Sequence, residues 1–200
     1  MGSVANGEPL VIYSVITPTL QRDSLIQCCR SVEEQSLIHW QHIVVIDGGP
    51  FNPDLMDAIA HPQRRFIHLP KRSNNFGNHP RHEGWKLAVS DYVLYLDDDN
   101  FFAHKNALRD IDNSLADASD PHWAVFPILR FGQRFFSNDP RCCHVDTGNM
   151  VIQREIAQWP DRDEYTLDGI FCEELKAKYS YVAFPDVEPI IVVPVQGKGL

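Results

Sequence analysis

Long hydrophobic runs are missing from this chain of 200 residues. No apolar stretch approaches the ~20 residues that a membrane-spanning helix needs, and no membrane span is expected. Positive charge is also scarce. Lys and Arg total 18 against 27 Asp and Glu, a net charge of −9, and no basic block exceeds Lys71-Arg72. Duplex nucleic acid and anionic membrane surfaces are therefore excluded as expected partners. Cysteine is thin: Cys28, Cys29, Cys142, Cys143 and Cys172 make two adjacent pairs and an odd residue, without a Cys-x-x-Cys spacing. That pattern suits neither a disulfide framework nor structural zinc, and reduced thiols in a cytoplasmic protein are expected. Residues 1–9 have neither the charge nor the apolar region of a signal peptide and read as a disordered lead-in. The rest, 10–200, has no linker and no internal repeat, and its length suits one domain with a real core.

What stands out is Tyr92-Val93-Leu94-Tyr95-Leu96 followed at once by Asp97-Asp98-Asp99. Such an apolar run reads as a strand buried on both faces, the habit of a central parallel strand. Open α/β sheets bind ligands just beyond the carboxyl ends of their strands, so the acids fall where such a fold does chemistry. On an extended backbone Asp97 and Asp99 point the same way, with Cα atoms roughly 6.5 Å apart. Two carboxylates so placed suit a hard divalent ion whose other positions go to water and phosphate. The competing reading has Asp99 or Asn100 capping a helix that starts near Phe101.

The pattern along the chain predicts strands at Val11–Thr17, His42–Ile46, Arg65–Leu69 and from Tyr92. It places helices from Asp23 to about Gln35, over Pro53–Ala60, over Pro80–Val89 and over Phe101–Ala116. This alternation is α/β and predicts a mainly parallel sheet with helices on its faces. Regularity fades after about 120. Strands are expected at Trp123–Leu129, Arg134–Phe136, Met150–Gln153, Tyr181–Phe184 and Ile190–Val193, with a helix over Asp168–Lys178. Three strand ends carry polar groups, Thr17-Pro18-Thr19 with Arg22, Asp47, and Asp97–Asp99. Together they make a crevice suited to a nucleotide.

The segments Ser14–Arg22, Arg30-Ser31-Val32 with Gln35, and Ile43–Gly48 resemble the opening of glycosyltransferase family 2. The likeness continues through Asn75-x-Gly77, Arg81-His82-x-Gly84, Ala88, Asp91-Tyr92 and Leu96–Asp99, and resumes at Thr147–Met150 and Asp168. It covers about residues 11–178. The resemblance implies a single GT-A (Rossmann-like) domain, with a nucleotide-sugar-binding half over about 10–120 and a less regular acceptor-side half over about 121–200. It also implies transfer of a sugar from a UDP- or GDP-linked donor to a sugar, glycan or other hydroxyl acceptor, with inversion and a divalent metal, Mn²⁺ or Mg²⁺. Carried over by position, Thr17, Pro18, Thr19 and Arg22 would line the nucleotide pocket and Asp47 would accept from the base. Asp97 would lie near the ribose with Asp98 beside it, and Asp99, with Asp97, would ligate the metal. Arg81 would hold the phosphate side, Gly148 and Asn149 would shape the acceptor side, and Asp168 would take the acceptor's proton. Glu173 and Asp146 are reserves for that base, and His144 is a candidate further metal ligand. The chain departs from the family in having Ile46-Asp47 where two acids are common, and His82 where an Asn is common.

Two other functions stay open at this stage. A sugar-phosphate nucleotidylyltransferase would share the architecture but expects an early glycine-rich phosphate loop, and Pro18–Ser24 contains no glycine. A non-catalytic carbohydrate- or nucleotide-binding module would keep the fold alone.

Overall fold

A computed structural model describes residues 13–195. Among the described residues, eleven strands form two sheets. In chain order the first elements are β1 (Tyr13–Thr19), α1 (Ser24–Glu33), β2 (Trp40–Ile46), α2 (Pro53–Ala58), β3 (Arg64–His68), α3 (Asn78–Trp85) and β4 (Tyr92–Tyr95). These are the predicted alternating elements with ends moved by a few residues: β2 and α3 begin two residues earlier than expected, and α1, α2 and α3 end sooner. The lead-in at 1–9 and the predicted start of β1 at Val11 lie outside the described residues.

The larger sheet has the order β10-β6-β9-β4-β1-β2-β3, where β6 is Trp123–Val125, β9 is Met150–Gln153 and β10 is Tyr181–Ala183. Strand β1 pairs in parallel with β2 and β4, and β2 with β3, while β9 runs antiparallel between β4 and β6. The central strands are buried on both faces because both are covered. Val15 and Leu94 pack with Cys28 and Val32 of α1 and with Leu108, Ile111 and Leu115 of α4 (Ala107–Asp117). On the other face Ile16, Val45 and Tyr95 pack with Ala88 and with Leu167, Phe171 and Leu175 of α5 (Leu167–Lys178). The period-two alternation of Val93 and Tyr95 against Leu94 and Leu96 supplies both layers. Gly84 of α3 allows that helix to lie on the sheet, since a Cβ there would sit 2.5 Å from Cγ2 of Ile16.

Several expected boundaries move. Strand β1 does not stop at Pro18 but runs to Thr19. Beyond Ile16 it pairs with β2 and no longer with β4, so proline's missing N–H falls where a neighbour has ended. The helix expected from Phe101 begins at Ala107. Phe101-Phe102 instead forms β5, antiparallel to β11 (Ile191–Val193), and the Phe102 N–H donates to Ser31 Oγ at 3.1 Å. The strand expected over Trp123–Leu129 breaks at Phe126-Pro127. β6 stays in the larger sheet, whereas β7 (Ile128–Arg130) joins β5, β11 and β8 (Gln133–Phe135) in a second sheet. Thr166, not Asp168, occupies the cap position of α5, and Asp168 lies in its first turn. No helix among the described residues is long and apolar enough to cross a membrane.

Candidate functional site

A cavity of about 980 Å³ opens at the carboxyl ends of β1, β2 and β4. It is lined by Pro18, Thr19, Arg22, Asp47, Arg81 and Asp97–Asp99, so eight of the residues singled out in the sequence meet there. A second cavity of about 320 Å³ shares Phe76, Arg81, Asp97, Arg130, Asp146 and Tyr165 with it and adds Thr147, Trp159 and Asp168. The two are adjoining chambers.

The three consecutive acids follow β4, with Asp98 and Asp99 in a turn closed by the Asn100 N–H donating to the Asp97 carbonyl at 2.9 Å, rather than on the extended backbone expected. Asp98 turns inward, its side chain 1% exposed, and accepts from Thr19 Oγ1 at 2.7 Å and from Arg22 Nε at 3.3 Å. Burial raises its pKa, and the donations from Arg22 and Thr19 oppose that rise. Asp97 and Asp99 turn toward the cavity. Asp97 pairs with Arg81, and Asp99 lies 3.3 Å from Arg22 Nη1. Arg22 thereby ties β1 to the end of β4. Arg81, 7% exposed, also donates to the Phe76 carbonyl at 3.0 Å and stacks over Trp159 at 5.0 Å. It thereby links α3 to the segment after β4.

Asp47 leaves the end of β2 with both oxygens engaged by Ser73, whose N–H and hydroxyl each donate at 2.8 Å. Gly48 makes that approach possible. It takes φ +68°, and a Cβ would lie 2.2 Å from the Arg72 nitrogen.

Asp168 accepts the Gly169 N–H at 2.8 Å. Burial raises its pKa, the Gly169 donation and Arg81 oppose this, and the charge of Asp97 adds to it. Asp146 is pushed further, up to about 6, first by burial and then by Asp97. It also caps the short 3-10 helix Thr147–Asn149, accepting from Gly148 N–H while its own N–H donates to Asn149 Oδ1 at 2.8 Å. Arg130 Nε lies 3.8 Å from it.

Four expected site residues stand apart. Thr17 is fully buried and lines neither cavity. Arg64 Nε donates to His42 Nδ1 at 3.0 Å, which leaves the proton on Nε2, and that nitrogen meets Thr17 Oγ1 at 3.0 Å. Thr17 is thus part of a support beneath the site, because α1 still covers the strand there. Gly148 and Asn149 are buried and line neither cavity. The Asn149 amide instead donates to the Phe126 carbonyl at 2.7 Å. His144 is exposed and lines neither cavity, so it does not join the acids.

Asp97 and Asp99, which both line the larger cavity, are the carboxylates that could hold a divalent ion. Among the described residues no group of three His, Cys, Asp or Glu is arranged to hold a metal ion. The donor set therefore suits an ion that takes one or two carboxylates and completes its shell with water and substrate phosphate.

Sequence reading missed Arg130, Phe76 and Tyr165 and held Asp146 only in reserve. Arg130 belongs to a three-residue strand with no periodic signal. Phe76 was within reach, since it is the variable position of Asn75-x-Gly77.

Comparison with known proteins places this geometry in context. The family described as Glycosyl transferase family 2 matches residues 14–157. The poly(ribitol-phosphate) β-N-acetylglucosaminyltransferase TarP of Staphylococcus aureus (strain N315) is 31% identical over 105 residues, which is 50% of this chain and 32% of that protein. Among solved structures, TarS 1-349 of S. aureus in complex with UDP-GlcNAc superposes with a TM-score of 0.78 at 13% identity, covering 94% of this chain and 60% of that one. The mannosyltransferase PcManGT of Pyrobaculum calidifontis, in complex with GDP-Man and Mn²⁺, superposes with a TM-score of 0.72 at 18% identity over 95% of this chain and 59% of that one. At such identities the structures establish a shared fold. The chain spans less than two thirds of the length of each of these relatives.

Proposed function

We propose a function from the premise that this chain belongs to glycosyl transferase family 2: it transfers a sugar from a nucleoside-diphosphate sugar to an acceptor hydroxyl, with inversion. The observation that carries the proposal is the pair of adjoining chambers, with Asp97 at their junction and Asp168 in the smaller one. The larger chamber takes the donor and the smaller one the acceptor. The front of the chain, to about 120, supplies most of the donor side, and the later residues supply the acceptor side.

In this scheme Asp47, held by Ser73, accepts from the base. Pro18 and Thr19 wall the nucleotide, and Arg22 fixes the acids. Asp99 and Asp97 hold a divalent cation, which when bound supplies Lewis-acid stabilisation to the departing diphosphate. Asp168 takes the proton of the acceptor hydroxyl as the oxygen forms its bond to the anomeric carbon and the bond to the diphosphate breaks. A base raised above the ordinary carboxylate range is better matched to that task near neutral pH. A UDP- or GDP-linked donor is supported by the UDP-GlcNAc and GDP-Man bound to structures of the same fold, and Mn²⁺ by its presence with GDP-Man.

Calorimetric titration with UDP and GDP, with and without Mn²⁺, tests donor binding. Slow hydrolysis of a nucleotide-sugar should fall at least a hundredfold in Asp168→Asn, about 2.7 kcal/mol, while donor affinity is kept. Nucleotide binding with no turnover across a donor panel would favour the non-catalytic module instead.

A further inference from the structure

Two exposed aromatic rings meet where the two chambers adjoin. Phe76 and Tyr165 are 57% and 78% exposed, yet both line both chambers. Their rings meet edge to face, centroids 5.3 Å apart and planes at 75°. Large apolar groups left open to water usually mark a surface that takes a ligand.

The backbone adds an independent sign. Phe76 has φ +58°, a left-handed conformation that bulky side chains rarely adopt. Its carbonyl is pinned there by Arg81, the residue that also holds Asp97. A strained residue whose ring then stays exposed contributes little to the core, and strain of this kind gathers at ligand clamps. Tyr165 immediately precedes Thr166, the cap position of α5, and so lies three residues before Asp168. The residues assigned to the base, Asp47, Pro18 and Thr19, line the larger chamber alone, whereas Asp168 lines only the smaller. The aromatic pair therefore sits at the junction, on the side that reaches the proton acceptor.

We propose that Phe76 and Tyr165 form the platform on which the acceptor lies, and that the acceptor group it takes is a pyranose ring. This rests on the glycosyl transfer proposed above. A pyranose offers an apolar C–H face to an aromatic surface and hydroxyls around its rim. With that face on the rings, one rim hydroxyl turns toward Asp168 and the others toward water.

The test is saturation-transfer NMR on the full chain loaded with UDP and Mn²⁺. The probes are methyl β-D-glucopyranoside, methyl β-D-galactopyranoside and methyl α-D-mannopyranoside, with the open-chain polyol ribitol for contrast. At least one pyranoside should take up saturation on its ring protons more strongly than ribitol does. That signal should fall at least fivefold in Phe76→Ala and Tyr165→Ala and persist in Tyr165→Phe. UDP affinity by calorimetry should stay within twofold in all three. Phe76→Gly serves as the fold control: it should melt no lower than the parent, because glycine accepts the left-handed backbone, and still lose the signal. A parent that binds neither UDP nor GDP defeats the glycosyl-transfer reading. Nucleotide binding without a pyranoside signal, equal signal from ribitol, or variants that leave the signal unchanged each overturn the platform alone. Loss of UDP affinity in the alanine variants would assign the rings to the donor and overturn it too.

Discussion

Replacing Asp146 with Asn should stabilise the protein at neutral pH and do so less as the solution is made acid. The Asp146 side chain is 16% exposed and faces Arg130 at 3.8 Å, and its carboxyl is held at about 6 by burial and by Asp97. A raised carboxyl favours the protonated form, so its contribution to stability is fully present below the unfolded value near 3.8. That contribution is lost as pH rises through about 6. At about 1.4 kcal/mol per pH unit, ionised Asp146 costs the fold about 3 kcal/mol at pH 7.5 and about 1 kcal/mol at pH 4.5. Asn keeps the capping acceptor for the Gly148 N–H and removes the charge. Urea unfolding of parent and variant at the two pH values gives the comparison. The variant's advantage should grow by about 2 kcal/mol from pH 4.5 to 7.5. Asp98 and Asp168 are raised as well, but they occur in both proteins and largely cancel in the difference. An advantage independent of pH, or a variant less stable at both, would refute the assignment of buried uncompensated charge to this carboxyl.

Asp99→Ala should weaken Mn²⁺-dependent UDP binding more than tenfold, over about 1.4 kcal/mol by calorimetry, and unchanged affinity would remove Asp99 from the site. Gly84→Ala should lower stability by about 1–3 kcal/mol in chemical denaturation, since its methyl group would meet Ile16 at 2.5 Å and Val45 at 3.1 Å. Arg64→Ala should cost about 3–5 kcal/mol. It strips a fully buried guanidinium from Glu33, from His42 and from the carbonyls of Cys29 and Ile59, and a melting temperature near that of the parent would contradict this.

How much of the site is written locally follows from how each part is built. Asp47 and Asp97–Asp99 stand directly after unbroken apolar runs, and those runs are central strands of a parallel sheet. Strand identity, strand end and chemistry are therefore read from one stretch of chain, while the turn at Asp98-Asp99, which the apolar run does not announce, buries the Asp98 side chain against Thr19 and Arg22. Thr17 shows where that logic fails. It shares a strand face with Thr19, two residues on, but β2 and α1 still cover it, so its hydroxyl meets His42 and only Thr19 emerges at Asp98. No period in the sequence marks where a covering helix stops. The surroundings of the smaller chamber are harder still because much of their order is non-local. Phe101-Phe102 continues a helix-like pattern but pairs with Ile191 and Val192, and Arg130 reaches the acids from β7, which is held by β8 and by β11. Strands of two or three residues carry no usable alternation. β7 and β8 meet in a local hairpin, but β11 joins β7 and β5 from about sixty and ninety residues away, and loop closure over such distances leaves no trace in composition. It follows that substitutions in the second sheet, far from any recognisable motif, should alter the smaller chamber at Asp146 and Asp168 while leaving the nucleotide end of the larger one intact.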